Sequence, residues 1–242
     1  MASKLKLASE LSSRLDVPAD DRSKSQQVYD FLRRRIRALD IPAGAPLRKD
    51  EIALACGVSR APVNEAIARL AAEGLIDVFP QNGSFVSPIR MQDIRESMFL
   101  RMAIEVEAVK RVARQGDADV IGRLEENIRA QARALEAKKV NLVLFDDLDE
   151  ALHTEIIRAT ELPRAMHLLE TARVILDRPR FLTLPVDHRP EDTYYEHSRI
   201  VDSIKTGDPE FAGSAMRVHL TKVAQAMEAK MSQIEQKSEN LD

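Results

Sequence analysis

Residues 57–67 read GVSRAPVNEAI, and this stretch decides how the first third of the chain folds. Its first three residues, 57–59, are enough only for a tight turn between two helices. The apolar spacing predicts a short helix over 49–56 and a longer helix over 60–73. Helix, tight turn and helix is the pattern of a helix-turn-helix, whose second helix enters the major groove of DNA.

The flanking segments complete a winged form of this motif. A capping-box pattern opens a predicted helix over 23–39. The β-branched and aromatic runs 76–79 and 84–87 are predicted to form a hairpin, because Asn82-Gly83 between them is a strong turn signal. We therefore predict a winged helix-turn-helix domain over 22–88.

The remainder of the chain has nearly continuous helical periodicity. Residues 178–192 interrupt it with three prolines and one histidine and are predicted to form one long loop, and Thr193 with Glu196 is predicted to cap the next helix. The fold class is therefore mainly α, with a C-terminal six-helix antiparallel bundle over 91–231 and a flexible tail over 1–21. Its six predicted helices are 91–115, 118–138, 142–160, 163–177, 193–206 and 209–231.

Charge is distributed unevenly along the 242 residues. Residues 1–90 hold 14 basic and 11 acidic residues, an excess of +3, whereas residues 91–242 hold 22 and 28, giving −6. A nucleic-acid surface is thus expected in the first half. The single cysteine, Cys56, the lack of a secretory leader pattern and the lack of a membrane-spanning apolar run together predict a cytoplasmic protein without a disulfide.

The start of the second helix of the motif carries the side chains expected to contact DNA. Arg60 can pair bidentately with a guanine edge, and Asn64 can pair with adenine. The Ser59 hydroxyl at the helix N-terminus suits a phosphate. Gly83 in the wing would let the backbone approach the duplex closely.

The stretch from residue 41 to 88 resembles the GntR family of transcription regulators. The resemblance rests on GVSRAPV at 57–63, EGLI at 73–76 and NGSFV at 82–86. It implies that Arg60 reads bases and that Gly83 lies at the tip of the wing. The family usually has arginine where this chain has Asn64, and Glu-Arg where it has Lys49-Asp50, so the operator is expected to be atypical.

Two basic residues precede the short helix of the motif. Arg48 and Lys49 are expected to contact phosphates in place of the missing family residues. The alternative is that both are ordinary solvated surface charges.

Four polar side chains fall on the apolar faces of three predicted helices in the second half: Asp149, His153, His197 and His219. Asp149 and His153 are spaced i,i+4 and so project from one side of one helix. Burying four such groups is costly unless they share a partner. One aspartate and three histidines suit a divalent transition metal, with Zn²⁺ preferred and Ni²⁺ or Mn²⁺ as alternatives. For any one histidine alone, a hydrogen-bonded core position is the alternative.

Residues 91–230 resemble the FCD ligand-binding domain of the FadR subfamily of GntR regulators, and six helices suggest its VanR-type version. The resemblance implies that the aspartate and histidines hold a metal beside a carboxylate-bearing effector. Arg101 is expected to clamp that carboxylate, with Arg173 as a second candidate. Alternatively, Arg101 forms an internal ion pair with Glu105 or Asp149.

These patterns predict a DNA-binding transcription regulator, a repressor, that binds a palindromic operator as a homodimer and responds to a small organic acid. Two alternatives remain at this point. A metal-dependent hydrolase could use the open coordination positions of the metal, although no general base or nucleophile motif accompanies it. A structural metal without an effector would leave a constitutive DNA-binding protein.

Overall fold

The computed structural model describes residues 22–136, 140–183 and 189–239. The chain divides into two compact units at the junction of Ile89 and Arg90. The predicted flexible tail at 1–21 lies outside the described residues. The fold class predicted from the sequence, mainly α with a winged helix-turn-helix and a helical bundle, is confirmed.

From residue 22 onward, where its description begins, the first unit contains three helices followed by a two-stranded hairpin. Its elements are α1 (Lys24–Arg37), α2 (Lys49–Cys56), α3 (Arg60–Ala72), β1 (Ile76–Phe79) and β2 (Gly83–Val86). Helix α1 packs against α3 through side chains that are fully buried, Leu32 and Leu70 among them. Tyr29 joins the same two helices, because its hydroxyl donates a hydrogen bond of 2.7 Å to Glu73.

The turn between α2 and α3 depends on Gly57. This residue ends α2 in the left-handed conformation, with φ of 62°, which a residue with a Cβ adopts only with strain. Ser59 is the N-cap of α3, but its side chain makes no capping hydrogen bond. The hydroxyl at the start of the second helix is therefore not used to cap that helix.

The central pair of the hairpin turn lies two residues earlier than the Asn82-Gly83 signal suggests. Strands β1 and β2 are antiparallel, and Gly83 pairs with Phe79 at the end of the ladder. The connecting turn has Gln81 at φ 64°, and its backbone closes when the Asn82 N–H donates to the Phe79 carbonyl at 3.1 Å. Asn82-Gly83 is thus not the central pair of the turn, because Pro80 supplies the fixed φ that suits its second position.

The second unit contains six helices within 90–136, 140–183 and 189–239. They are α4 (Met91–Gln115), α5 (Ala118–Leu135), α6 (Leu142–Arg158), α7 (Pro163–Thr183), α8 (Arg189–Lys205) and α9 (Pro209–Glu239). Helix α4 is central, since it contacts α6, α7, α8 and α9. Its buried residues include two charged ones, Arg101 and Glu105.

The predicted loop at 178–192 is wrong within its described residues. Helix α7 continues through Pro179 to Thr183, and α8 begins at Arg189, so Thr193 is a buried helical residue and not a cap. Burial of side chains around Pro179 outweighs the backbone hydrogen bond that a proline removes. Pro190 is tolerated because it lies in the first turn, where its missing N–H would have no partner.

We predict that Leu124→Ala destabilises the helical unit by about 2–5 kcal/mol, because the fully buried leucine would leave a cavity between helices. Denaturant unfolding followed by circular dichroism measures the free energy of unfolding. Val143→Ala is the matched control: that side chain is 53% exposed and should cost less than about 0.5 kcal/mol. Equal losses in both variants would contradict the observed packing.

Candidate metal centre and nucleic-acid interface

Three helices bring four potential metal ligands together inside the second unit. Asp149 and His153 lie on α6, His197 on α8 and His219 on α9. One ligand atom from each lies within 4.8 Å of all the others, and all four residues are buried. The four residues singled out from the sequence therefore converge in the folded chain.

The three imidazole rings share one arrangement. Each ring holds a protein partner at Nδ1, whereas its buried Nε2 has no hydrogen-bond partner among the described residues. The Nδ1 partners are the Glu105 carboxylate for His153, the Gln131 amide at 2.9 Å for His197 and the Glu196 carboxylate at 2.7 Å for His219. Rings held at one nitrogen and bare at the other are typical of metal-binding histidines.

A chain of hydrogen bonds fixes the tautomer of His197. The Leu148 carbonyl can only accept, so it orients the Asn127 amide to donate from Nδ2 at 2.9 Å. The Asn127 oxygen then accepts from Gln131 Nε2 at 2.7 Å, which leaves the Gln131 oxygen facing His197. His197 therefore donates from Nδ1, and its Nε2 presents a lone pair to the cluster.

Burial keeps the histidines neutral. It lowers the pKa of His197 well below its ordinary 6.5, and the neighbouring His219 and His153 lower it further. Burial likewise lowers the pKa of His219 well below that value, with His153 and Arg101 adding to the effect. Neutral imidazoles are the form that binds a metal.

The residues fit a divalent transition metal. The cluster offers three Nε2 lone pairs and the carboxylate of Asp149, whose Oδ1 lies 3.5 Å from His197 Nε2 and whose Oδ2 lies 3.8 Å from His153 Nε2. Three nitrogens and one oxygen at this spacing match the donors that such ions prefer. Without a shared partner, three buried ring nitrogens would remain unpaired, each at a cost of roughly 1–3 kcal/mol.

Arg180 also belongs to this site, although the sequence did not indicate it. Its guanidinium contacts the carboxylate of Asp149, and its Nε lies 2.9 Å from Asp146. A ligating carboxylate held by a second group keeps its orientation, so Arg180 positions Asp149. The residue was missed because it falls in the segment predicted to be a loop, where no helical face could be assigned.

Arg101 and Arg173 lie in the same interior. Arg101 donates from Nε to Glu105 at 2.6 Å, as the ion-pair alternative expected, while its Nη2 is buried without a partner in the described part of the chain. Arg173 donates to the Thr154 hydroxyl at 2.7 Å, and its Nε and Nη2 likewise have no partner there. Both cations help to lower the pKa of Glu105, and Arg101 also lowers the pKa of Arg173, so the two charges lie near one another.

Glu105 links these arginines to the metal ligands. Burial by itself would raise the pKa of its carboxyl group, but Arg101 and His153 more than offset that effect and hold the pKa well below its usual value. The charged carboxylate accepts from Arg101 on one oxygen and from His153 on the other. A change at Arg101 is thereby connected to His153 of the candidate metal cluster.

The expected DNA-reading residues are exposed at the start of α3. Ser59, Arg60 and Asn64 all face solvent. Arg60 is not alone, since its guanidinium is paired with the carboxylate of Asp50 on α2. This pair raises the pKa of Arg60 and lowers the pKa of Asp50 through the hydrogen bond between them.

The other predicted DNA contacts lie nearby in the sequence and are also exposed. Arg48 forms an ion pair with Glu51 at 3.4 Å, and Lys49 begins α2. Gly83 opens β2 with φ of 113°, a conformation that favours glycine. It thus follows directly on the hairpin turn.

Known families match both units. Residues 24–86 match the family described as bacterial regulatory proteins, gntR family, and residues 96–222 match the FCD domain. The chain belongs to the gntR family of bacterial regulatory proteins. As a gntR regulator with an FCD domain, it is a DNA-binding transcription regulator and not an enzyme, so the hydrolase alternative is excluded.

Named relatives and solved structures agree with this assignment. The gntR regulator is 35% identical over 202 residues, 84% of each chain, to an uncharacterized HTH-type transcriptional regulator in an unstable DNA locus of Streptomyces ambofaciens. It is 32% identical over 203 residues to the HTH-type transcriptional repressor RspR of Escherichia coli, covering 84% of this chain and 88% of that one.

A crystal structure described as a putative transcriptional regulator GntR from Rhodococcus shares the fold. Its TM-score is 0.73 at 20% identity, covering 86% of this chain and 99% of the other. Within the described ranges of the gntR regulator, none of the helices has the length and apolar character to cross a membrane.

We predict that Gln131→Met lowers metal affinity by about tenfold to a hundredfold, because His197 loses the acceptor that fixes its tautomer and ring orientation. Competition with a chromogenic chelator measures the affinity. Arg129→Gln, an exposed change on the same helix, should leave it unchanged. If Gln131→Met and the unmodified protein bound the metal with equal affinity, the role of Gln131 in orienting His197 would be contradicted.

The lowered histidine pKa values predict a pH-dependent stability of the metal-free protein. Below pH 6.5, the ordinary histidine pKa, the unfolded chain binds protons that the folded chain excludes from His197 and His219. Above this pH the two histidines therefore do not reduce the free energy of unfolding. As the pH falls from 6.5 toward their lowered pKa values in the folded chain, the free energy of unfolding decreases. Urea unfolding at a series of pH values measures the decrease.

His219→Gln provides the comparison for this pH series. It removes one of the two groups, so its stability should depend less steeply on pH between about 6.5 and 5. A stability of the unmodified protein that stays constant over that range would contradict the prediction.

Proposed function

We propose that the chain is a repressor whose affinity for a palindromic operator is controlled by a small carboxylate effector bound beside a metal ion in the FCD domain. The observation that carries this proposal is the set of buried guanidinium nitrogens without partners among the described residues: Nη2 of Arg101 and both Nε and Nη2 of Arg173. Arginine N–H groups at fixed positions match the oxygens of a carboxylate.

The energetics of these groups favour a ligand. A buried donor without an acceptor costs about 1–3 kcal/mol, and two arginines together present three such nitrogens. Glu105 pairs with Arg101 through Nε only, so it does not satisfy the other nitrogens. An anion entering this region supplies acceptors to both guanidinium groups.

A metal ion would add a second anchor for the same effector. Asp149, His153, His197 and His219 are the residues that would hold it, with Zn²⁺ preferred for three nitrogens and one oxygen, and Ni²⁺ or Mn²⁺ as alternatives. When bound, the metal supplies Lewis acidity and open coordination positions for a carboxylate or hydroxyl oxygen. Arg101 and Arg173 would orient the remainder of the effector.

In the DNA-binding domain, base edges would be contacted by Arg60 and Asn64. Phosphates would be contacted by Ser59, Arg48 and Lys49. The wing would approach the duplex closely at Gly83. All six are exposed, which such contacts require. We infer a winged helix-turn-helix domain over 22–88 and an effector domain over 91–231. The six helices found in the described part of the second unit favour the VanR-type version of the FCD domain.

Two-fold operators are matched by two-fold proteins, so the regulator is proposed to act as a homodimer. Repression is the favoured sign of regulation because the E. coli relative is named a repressor. A protein that binds operator DNA in a bacterium acts in the cytoplasm, and its single cysteine suits a reducing compartment.

We predict that an organic acid from a panel of monocarboxylates, dicarboxylates, hydroxy acids and sugar acids raises the melting temperature of the metal-loaded regulator. At a concentration of about 100 times its Kd, the ligand adds about 2.7 kcal/mol to the free energy of unfolding. The same acid should change the affinity for operator DNA. Uncharged sugars of matching size serve as controls.

Arg173→Met should abolish the thermal shift with that acid while metal binding is retained, because Arg173 contacts no metal ligand directly in this structure. Thr154→Val, which removes only the hydrogen bond to Arg173, should weaken the response without abolishing it. If no carboxylate shifts the melting temperature, the metal is structural and the protein binds DNA constitutively. If a ligand binds but operator affinity stays constant, the proposed control fails.

A further inference from the structure

Asp50 and Arg60 form a pair that crosses the helix-turn-helix. Asp50 is the second residue of α2, and Arg60 is the first residue of α3. The Asp50 carboxylate accepts hydrogen bonds from two nitrogens of the Arg60 guanidinium, Nε and Nη2. The side chains are 68% and 69% exposed, so the pair lies at the surface and not in the core.

The choice of nitrogens leaves a defined edge of the guanidinium available. An arginine carries five N–H groups in one plane, and Nε together with one N–H of Nη2 forms its side edge. Asp50 occupies that edge. The end edge, formed by Nη1 and the second N–H of Nη2, matches the O6 and N7 acceptors of guanine in the major groove.

A contribution to folding stability does not explain why this ion pair is present. Exposed ion pairs contribute little to folding, since both partners remain well solvated. A carboxylate on a surface that approaches phosphates is also repelled by them unless it is neutralised. Asp50 therefore weakens DNA binding unless it performs a task through Arg60.

We propose that Asp50 is a specificity-determining residue that holds Arg60 in position, so that the end edge of its guanidinium reads one guanine in each half-site. The pair acts as one unit: Asp50 fixes the plane of the guanidinium, and Arg60 contacts the base. Held at its side edge, Arg60 cannot turn to a phosphate without leaving Asp50 unpaired. The pairing with Asp50 thereby makes Arg60 selective for a base, whereas an unpaired arginine could contact any phosphate.

This inference also explains the departure of the chain from its family at Lys49-Asp50. An arginine at position 50 would add a separate cation, whereas an aspartate there constrains the cation already present at position 60. Asn64 lies one turn along the same helix from Arg60 and is exposed, so its amide can read the neighbouring base pair. The inference rests on the proposed base contact by Arg60.

The test begins with selection of operators from random duplex DNA by the full-length, metal-loaded protein. The affinity is then measured for the selected operator and for every single base-pair change in one half-site. The same series is repeated with Asp50→Asn, Arg60→Ala and Glu51→Gln. Glu51→Gln is the matched control, because it removes one exposed acidic charge from the same helix, where Glu51 pairs with Arg48.

We expect Asp50→Asn and Arg60→Ala to lose discrimination at the same guanine position, by about tenfold, which is the order that one bidentate arginine–guanine pair contributes. Glu51→Gln should shift the affinity for all sequences together and leave discrimination intact. Circular dichroism establishes that each variant is folded.

Two results would overturn the proposal, and they differ from each other. If Arg60→Ala loses discrimination at a guanine but Asp50→Asn only strengthens binding to all sequences, Asp50 is a repulsive surface charge and the positioning role fails. If Arg60→Ala loses discrimination at no position, the proposed base contact by Arg60 fails, and the role of Asp50 fails with it.

Discussion

The buried carboxylate of Glu105 is the interaction on which the helical domain depends. It lies on the central helix α4, and it accepts from Arg101 on one side and from His153 of the candidate metal cluster on the other. Removing one partner of a buried charged pair leaves an uncompensated charge, which costs about 3–5 kcal/mol. Glu105 consequently links three features of the domain: the position of α4 among its neighbours, the orientation of His153 and the charge around Arg173.

The candidate metal site is also assembled from matched hydrogen-bond donors and acceptors. Each histidine is held by a side chain from a different helix, so the three bare nitrogens meet only when α4, α5, α6, α8 and α9 are packed together. A metal ion held by this cluster would therefore stabilise the packed bundle.

The DNA-binding unit uses charge differently. Its motif is held by apolar packing of α1 against α3 and by a glycine in the turn, and its charged groups remain at the surface. There the geometry of a guanidinium matters more than its net charge, because phosphate attraction carries no sequence information. In this half, whose excess is only three positive charges, the carboxylate of Asp50 holds the exposed guanidinium of Arg60 by two of its nitrogens.

Local sequence determined the helix-turn-helix, the hairpin, the six helices in the described part of the bundle and the four residues of the Asp–His cluster, because helical periodicity and turn chemistry act over a few residues. Tertiary structure decided the rest. The Nδ1 partner of His197 lies 66 residues away, and Arg180 reaches Asp149 from a segment whose prolines predicted a loop. Periodicity identifies which face of a helix is buried but not which helix it meets, and burial of side chains can keep a proline-containing segment helical. The partners that orient the ligands were therefore visible only in the folded chain.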